Sequence, residues 1–326
     1  MIFVTPKYSH MITSDIAFVK AQLEQGEVVG IPTETVYGLA ANIYNEQAIA
    51  KIFSTKGRPN TNPLIVHVKS MEQARTLVSY FPPKASLLAE RFWPGSLTLI
   101  LPKSELISDA ITAQQSTVAI RMPNHHTTLA LLETLDFPLA APSANPYNRI
   151  SPTCAAHVED YFPQIPILEG GNCEAGVEST ILSFEGDEVV LLRHGAISME
   201  QIEEVVGRIL DRTSSESVHL APGRSKKHYS PLCELIISYE PLFMLSAVQQ
   251  KKVAILWFKE VKIESPKVAI NHILSPSGSF QEAAANMYDA LHQLEKSGVD
   301  LIIVERLPNV DLGRTINDRF ERAAAK

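Results

Sequence analysis

The sequence reads as an α/β protein, a larger domain built on a mixed sheet followed by a smaller, open α/β domain. Three observations lead there. Short apolar runs alternate with segments of helical period along most of the chain, a pattern that calls for a sheet flanked by helices. The length, 326 residues, exceeds the roughly 250 at which a single core stops growing. Residues 211–231, DRTSSESVHLAPGRSKKHYSP, carry Ser, Pro and charge without an apolar period, the composition of a linker. The expected division is a first domain over 1–210, a linker over 211–231 and a second domain over 232–326.

Ser14 is placed as the N-cap of a helix through DIAFVKAQLEQ, where Ile16, Val19 and Leu23 recur at helical spacing before Gly26 stops it. The strand VVGI follows. A helix from Asn45 through AIAKIF, the strand LIVHV, a helix after Ser70 and the helix KASLLAERF come next. Then come the strands LTLIL and TVAIRM, the helix TLALLETL and the strand PLAA. Beyond these the reading gives a helix beginning near Ser151, strands at STILSF and EVVLLR, and a helix from Ser198 through MEQIEEVVGRIL. After the linker, CELIISY, VAILWF and VDLIIVERL have the continuous apolar character of buried strands, and SFQEAAANMYDALHQLEKSG is a capped amphipathic helix between the last two.

The composition, 45% hydrophobic and 20% charged, is that of a packed globular protein. A formal charge of −7 argues against broad affinity for DNA or RNA, which depends on Lys and Arg displacing counterions. Cys154, Cys173 and Cys233 lie far apart with no C-x-x-C pair, so no disulfide framework or zinc knuckle is expected. No apolar run approaches the roughly 18 residues of a membrane span, and the first residues lack the pattern of a secretory leader. The reading is a cytoplasmic protein that binds no membrane.

Three polar stretches adjoin predicted strands, two at strand exits and KGRPNTNP directly before one. In PTETVYGLA, Thr33, Glu34, Thr35 and Tyr37 stand at a strand exit, where ligands of α/β sheets settle; a helix cap near Tyr37 is the alternative. In KGRPNTNPLIVH, Lys56 and Arg58 occupy a loop containing Gly and Pro, so a point charge and a planar fork could share one anion such as the phosphates of a nucleotide. Two solvated charges are the competing account. His67 falls on the strand face opposite to Leu64 and Val66, where a satisfied core histidine is the ordinary outcome. SANPYNRISPT puts Ser143 and Asn145 at another strand exit with Ser151 as a helix cap, either an anion cradle or a structural Asx turn. Thr117 and Arg121 share one face of a strand, and an arginine on so apolar a strand needs a carboxylate from protein or ligand. No nucleophile motif, zinc motif or glycine-rich nucleotide fingerprint occurs, which leaves positioning and electrostatics as the catalytic means.

PTETVYGLA, KGRPNTNPLIVH, SAN with SPT, GVESTIL and LLRHGAIS, in that order and followed by APGRSKKHYSP and LGRTINDRF, resemble the YrdC/Sua5 threonylcarbamoyl-AMP synthases over nearly the whole chain, in their two-domain form. The resemblance implies a twisted α/β catalytic domain, a linker reaching back over its cavity and a small Rossmann-like C-terminal domain. It implies a nucleotidyltransferase that joins L-threonine, bicarbonate or CO2, and ATP into threonylcarbamoyl-AMP for the t6A modification of tRNA, with a tRNA threonylcarbamoyltransferase complex downstream. By the same resemblance Thr35, His67, Arg121, Ala141 and Ser179 match positions around threonine. Arg58, Asn62, Thr117, Ser143, Ser151 and Arg193 match positions around ATP, with Lys56 and Asn145 in the phosphate set and Tyr229 covering the nucleotide. Lys56 and Arg58 are the candidate catalytic cations. Mg²⁺ would arrive on the phosphates, with no dedicated protein metal site.

Four residues depart from the family pattern. Asn148 stands where Gly is common, a position Asn tolerates in left-handed backbone. His194 replaces a usual proline beside Arg193, and Arg224 with Lys226 replaces methionine and tyrosine in the linker, making it more basic. Two rival readings keep the fold: an enzyme handling carbamoyl-adenylate, and an RNA-binding module without catalysis.

Overall fold

In a computed structural model of the chain, residues 11–214, 227–245, 248, 251–262 and 264–325 are described. Arg224, Lys226, the middle of the linker and the first ten residues lie outside them. Eleven strands form the first sheet: β1 (Ile12–Thr13), β2 (Val29–Ile31), β3 (Gly38–Asn42), β4 (Ile65–His67), β5 (Leu97–Pro102), β6 (Thr117–Arg121), β7 (Leu139–Ala140), β8 (Ile167–Leu168), β9 (Thr180–Glu185), β10 (Glu188–Arg193) and β11 (Leu210–Asp211). Their order across the sheet is β1-β8-β2-β3-β7-β4-β6-β5-β9-β10-β11, with parallel and antiparallel neighbours interspersed. The second sheet joins β12 (Glu234–Ser238), β13 (Val253–Trp257), β14 (Val268–Ile273) and β15 (Leu301–Glu305) in the order β12-β15-β13-β14, all parallel. The α/β reading with a smaller parallel second sheet therefore holds.

The helices are α1 (Ile16–Glu24), α2 (Glu46–Lys56), α3 (Met71–Thr76), α4 (Pro83–Phe92), α5 (Asp109–Thr112), α6 (His126–Thr134), α7 (Ala155–Tyr161), α8 (Met199–Val206), α9 (Pro241–Met244), α10 (Phe280–Lys296) and α11 (Leu312–Ala324). Asn45, Ser70, Ser198 and Ser279 cap α2, α3, α8 and α10 with their side chains, which satisfies backbone N–H groups of each first turn. Two caps differ from the sequence reading. Asp15, not Ser14, accepts the Phe18 N–H at the start of α1, because a carboxylate one residue later reaches the same orphan donor. The helix expected from Ser151 begins at Ala155; the Ser151 hydroxyl instead donates to Glu178. No helix forms at Tyr37, since 38–42 is strand β3. Lys56 is not in a loop but closes α2, with Gly57 in the left-handed C-cap position. Among the described residues no helix is long and apolar enough to cross a membrane.

Side chains alternate across the first sheet as a pleat demands. Leu39 and Ala41 enter the main core and Ala40 the opposite one. On β4, Leu64 and Val66 are core residues while Ile65 and His67 face the other way. The second sheet does not complete its core alone. Val36, Ile150 and Val177 of the first domain pack into the same cluster as Met287, Ile316 and Phe320. Helix α10 lies directly on Gly176, where a Cβ would come within 2.4 Å of the Ala285 Cα.

Ion pairs ring this contact, among them a two-pronged bond from Arg149 to Glu295 at 2.8 Å and one from Lys296 to Asp160. Between them the His157 ring stacks on His292 at 3.8 Å and lies 3.4 Å from the Asp289 carboxylate. Burial alone would lower the His157 pKa; its bonds to Asp289 and Cys154 reverse that and raise it from 6.5 to about 9. A folded pKa above the unfolded one gives stabilisation that is complete below the unfolded value and lost as pH rises through the folded one. Melting temperature should therefore fall more steeply between about pH 6.5 and 9 in the parent chain than in His157→Gln; superimposable profiles would contradict this assignment.

Candidate active site

The polar stretches singled out in the sequence meet in one cleft. Its walls come from the exit of β2 (Thr33, Thr35), from β4 (Ile65, His67), from the end of β6 (Arg121) and from the segment after β7 (Ala141, Ser143). Glu178 and Ser179 before β9, Arg193 at the end of β10, Arg58, and the linker residues His228 and Tyr229 complete it. Counted out to open solvent, the space between these walls is about 570 Å³. Arg58, His67, Arg121 and Arg193 are all buried.

One end is organised around Arg121. Its Nη1 donates to the Thr35 hydroxyl at 2.9 Å, its Nε to the Gly95 carbonyl, and Nη2 lies 2.6 Å from Glu34. Glu34 also accepts from Ser96 Oγ and the Asn124 N–H. Burial pushes the Glu34 carboxyl up, but Arg121 and these donors outweigh it and hold its pKa below the usual carboxylate value. The carboxylate partner expected for Arg121 is thus supplied by the protein. Thr33 locks the turn, contacting the Thr35 hydroxyl at 2.8 Å and donating to the Val36 carbonyl. Burial and the Arg121 charge lower the His67 pKa to about 3, so the ring is an uncharged wall.

The other end collects cations on neutral acceptors. Lys56 reaches across to the Ser143 and Asn145 carbonyls, and its own carbonyl accepts the Tyr147 N–H at 2.8 Å. Burial and the nearby Arg58 push the ammonium pKa well down; the two carbonyls favour the charged form. Arg58 donates to the Pro63 carbonyl at 3.1 Å, and burial lowers its pKa to about 10, which leaves it a cation at neutral pH. Arg193 grips the Ser179 carbonyl through Nε and Nη2 and also meets the Ser179 hydroxyl, itself 2.7 Å from Thr98. Tyr229 adopts φ +62° and its buried ring lies against Tyr288 and under the Arg319 guanidinium.

The site residues named from the sequence divide into two groups. Thr35, Arg58, His67, Arg121, Ala141, Ser143, Ser179, Arg193 and Tyr229 line the cleft. Lys56, Asn62, Thr117, Asn145 and Ser151 stand behind or beside it. Lys56 acts on the backbone of the Ser143–Asn145 turn, Asn145 bonds the Pro146 and Arg149 carbonyls, and Ser151 bonds Glu178. Thr117 shares a face with Arg121 but lies at the opposite end of β6, about 13 Å away at strand rise. Thr33, expected at a ligand-binding strand exit, lines the cleft too, whereas Glu178 and His228 line it without having been singled out as ligand residues; for Glu178 the signal available was its place in GVESTIL. Asn148 sits at φ +66°, the left-handed conformation its replacement of Gly requires. His194 lies 3.4 Å from Asp211, so this departure ties the end of β10 to β11 while Arg193 keeps its hold on Ser179.

Arg58 Nε, Asn145 Oδ1, His228 Nδ1 and the Tyr229 hydroxyl are buried with no hydrogen-bond partner among the described residues. Such atoms in and beside a cleft point to a polar occupant. Among the described residues no group of three or more His, Cys, Asp or Glu could hold a metal ion, and Glu34 and Glu178 are already engaged. These contacts separate the two motif cations. Lys56→Met strands two carbonyls and should destabilise the chain by about 2–4 kcal/mol, whereas Arg58→Ala, losing one such bond, should cost half as much, about 1–2 kcal/mol, in urea unfolding.

The Sua5/YciO/YrdC family profile, described as telomere recombination, matches residues 21–195, and the profile of the threonylcarbamoyl-AMP synthase C-terminal domain matches residues 197–325. A threonylcarbamoyl-AMP synthase of Pyrococcus abyssi is 40% identical over 93% of this chain and 92% of the relative. That of Bacillus subtilis is 42% identical over 95% and 92%. A shorter putative threonylcarbamoyl-AMP synthase of Mycobacterium tuberculosis is 33% identical over 61% of this chain and 90% of its own. The crystal structure of P. abyssi Sua5 complexed with L-threonine superposes with a TM-score of 0.87 at 37% identity, covering 95% of this chain and 94% of that one. Fold and sequence thus agree over some 95% of the chain, which belongs to the Sua5/YrdC family of threonylcarbamoyl-AMP synthases.

Proposed function

We propose that the chain is a nucleotidyltransferase forming threonylcarbamoyl-AMP and pyrophosphate from L-threonine, bicarbonate or CO2, and ATP. The observation that carries this reading is the two-ended cleft. An Arg121–Thr35 end suits an amino acid, and it runs into an end where buried cations are held by carbonyl oxygens and stay available to phosphates. The P. abyssi relative was crystallised with L-threonine, which supports threonine as a substrate.

In this reading Thr35 and Arg121 orient the threonine, and neutral His67 adds no charge to repel its ammonium. The ammonium gives one proton to solvent, and the freed amine bonds to the carbon of CO2 as one C=O bond opens; a second proton leaves the nitrogen to solvent, which yields the carbamate anion. A carbamate oxygen attacks the α-phosphorus, the bond from that phosphorus to the bridging oxygen breaks, and pyrophosphate leaves. Two anions approach each other in this step, a repulsion that fixed cations in a water-poor cleft offset. Arg58 and Arg193 serve the phosphates, Lys56 fixes the Ser143–Asn145 turn that faces them, and Tyr229 covers the nucleotide. Asn62, Thr117, Asn145 and Ser151 complete the surroundings of ATP, Ala141 and Ser179 those of threonine. Mg²⁺ enters on the phosphates as part of the substrate, MgATP. The product is a reactive mixed anhydride, consumed by a downstream complex that modifies tRNA.

Pyrophosphate release by the purified chain should require ATP, threonine and bicarbonate together, and Arg58→Ala should reduce it about 100-fold or more. Release that is indifferent to threonine, or no release with a tRNA gel shift, would replace this reading with one of its rivals.

A further inference from the structure

Glu178 is the one carboxylate among the described residues lining the cleft, and it stands where a triphosphate would be repelled. It is buried, and its oxygens accept from Ser151 Oγ at 2.7 Å, from the Tyr288 hydroxyl at 3.0 and 3.1 Å, and from Arg319 Nε at 2.7 Å. Two of these three donors belong to the second domain: Tyr288 lies on α10 and Arg319 on α11. Arg319 is 1% exposed. Its Nη2 donates to the His194 carbonyl at 2.7 Å, next to Arg193, and its guanidinium lies 5.0 Å from the centre of the Tyr229 ring. It therefore touches the cleft acid, the backbone beside a cleft cation and the linker aromatic at once.

We propose that Arg319 is a positioning residue for the nucleotide end of the cleft, through which the second domain neutralises Glu178 and seats Tyr229. The physical reason is competition. Glu178 and Arg193 lie close enough to influence each other electrostatically, so without Arg319 the carboxylate would draw Arg193 from the Ser179 carbonyl and oppose incoming phosphates. Tethering the domains is a weaker account of Arg319. The rim pairs Arg149–Glu295, Lys296–Asp160 and Arg314–Glu200 already do that, and a buried pair contributes little net stability once desolvation is counted.

The inference rests on the proposed adenylation, and its test separates the two. Binding of a non-hydrolysable ATP analogue and of threonine is measured by calorimetry on the full chain, beside threonine-dependent pyrophosphate release by the parent. Arg319→Gln should weaken the analogue at least tenfold and leave threonine within twofold, since Arg319 has no contact with Thr35, His67 or Arg121. The double variant Arg319→Gln/Glu178→Gln, which removes both charges, should recover most of the loss. Unchanged analogue affinity in Arg319→Gln, parallel loss of threonine, or no recovery in the double variant overturns the proposal. Should Arg319→Gln not fold, Arg319→Lys and the double variant decide: both should bind the analogue within about threefold of the parent, and a tenfold loss in either overturns it. A parent that binds the analogue yet releases no pyrophosphate would sink the adenylation reading instead.

Discussion

The cleft depends on holding positive charge in place without cancelling it. Buried cations usually find carboxylates, and the pair then presents little field to anything else. Here Lys56 lies on two backbone carbonyls, Arg58 on one and Arg193 on another. A carbonyl is a dipole: it orients a guanidinium or ammonium through a hydrogen bond and leaves its net charge in the low-dielectric cleft. A chain of formal charge −7 can thereby carry a locally positive interior. Burial lowers the pKa of all three groups, the expected cost of removing charge from water. An anionic ligand offsets that cost, which favours its binding.

The fold supplies those carbonyls at irregular backbone between strand ends. The Ser143–Asn145 turn leaves β7, crosses to Lys56 at the end of α2, and is fixed from both sides, by the ammonium and by the Tyr147 N–H on the Lys56 carbonyl. Gly38, bridged to Ser143, sets the opposite wall, and a Cβ there would come within 3.1 Å of Ala141. The β2 exit is locked by Thr33, whose hydroxyl contacts both Thr35 and Val36. Hydroxyls are common in the opening motif because a turn with this many close contacts needs side chains that bond their own backbone.

Much of this was legible in the sequence, because alternation and strand-exit polarity are local signals. Pleat parity alone placed His67 opposite Leu64 and Val66, and Arg121 was expected to need a carboxylate on burial grounds. What was not legible depended on distance. Thr117 and Arg121 share a face, yet parity says nothing about a strand's length of separation. Lys56 looked like a loop cation because Gly57 and Pro59 follow it, while its helix ends only at Gly57 and its ammonium turns inward to a segment 87 residues away. Ser151 looked like a helix cap because hydroxyls so often are, but a buried carboxylate from 27 residues on claimed it. The stripe Leu312, Ile316 and Phe320 of α11 was present at helical spacing in LGRTINDRF and was not read as a helix. Residues 268–273, edge strand β14, alternate between part-buried and exposed positions and give a weak apolar signal.

The two carboxylates beside the cleft show why the domains form one functional unit. Glu34 is neutralised from within the first domain, by Arg121. From its own domain Glu178 has the Ser151 hydroxyl and the field of Arg193; its ion-pair partner, Arg319, and a further hydroxyl, Tyr288, come from the second. Without the second domain the acid would lean on Arg193, a cation of the anion-binding end. That demand falls on α11, whose buried Arg319 reaches both Glu178 and the His194 carbonyl of the first domain.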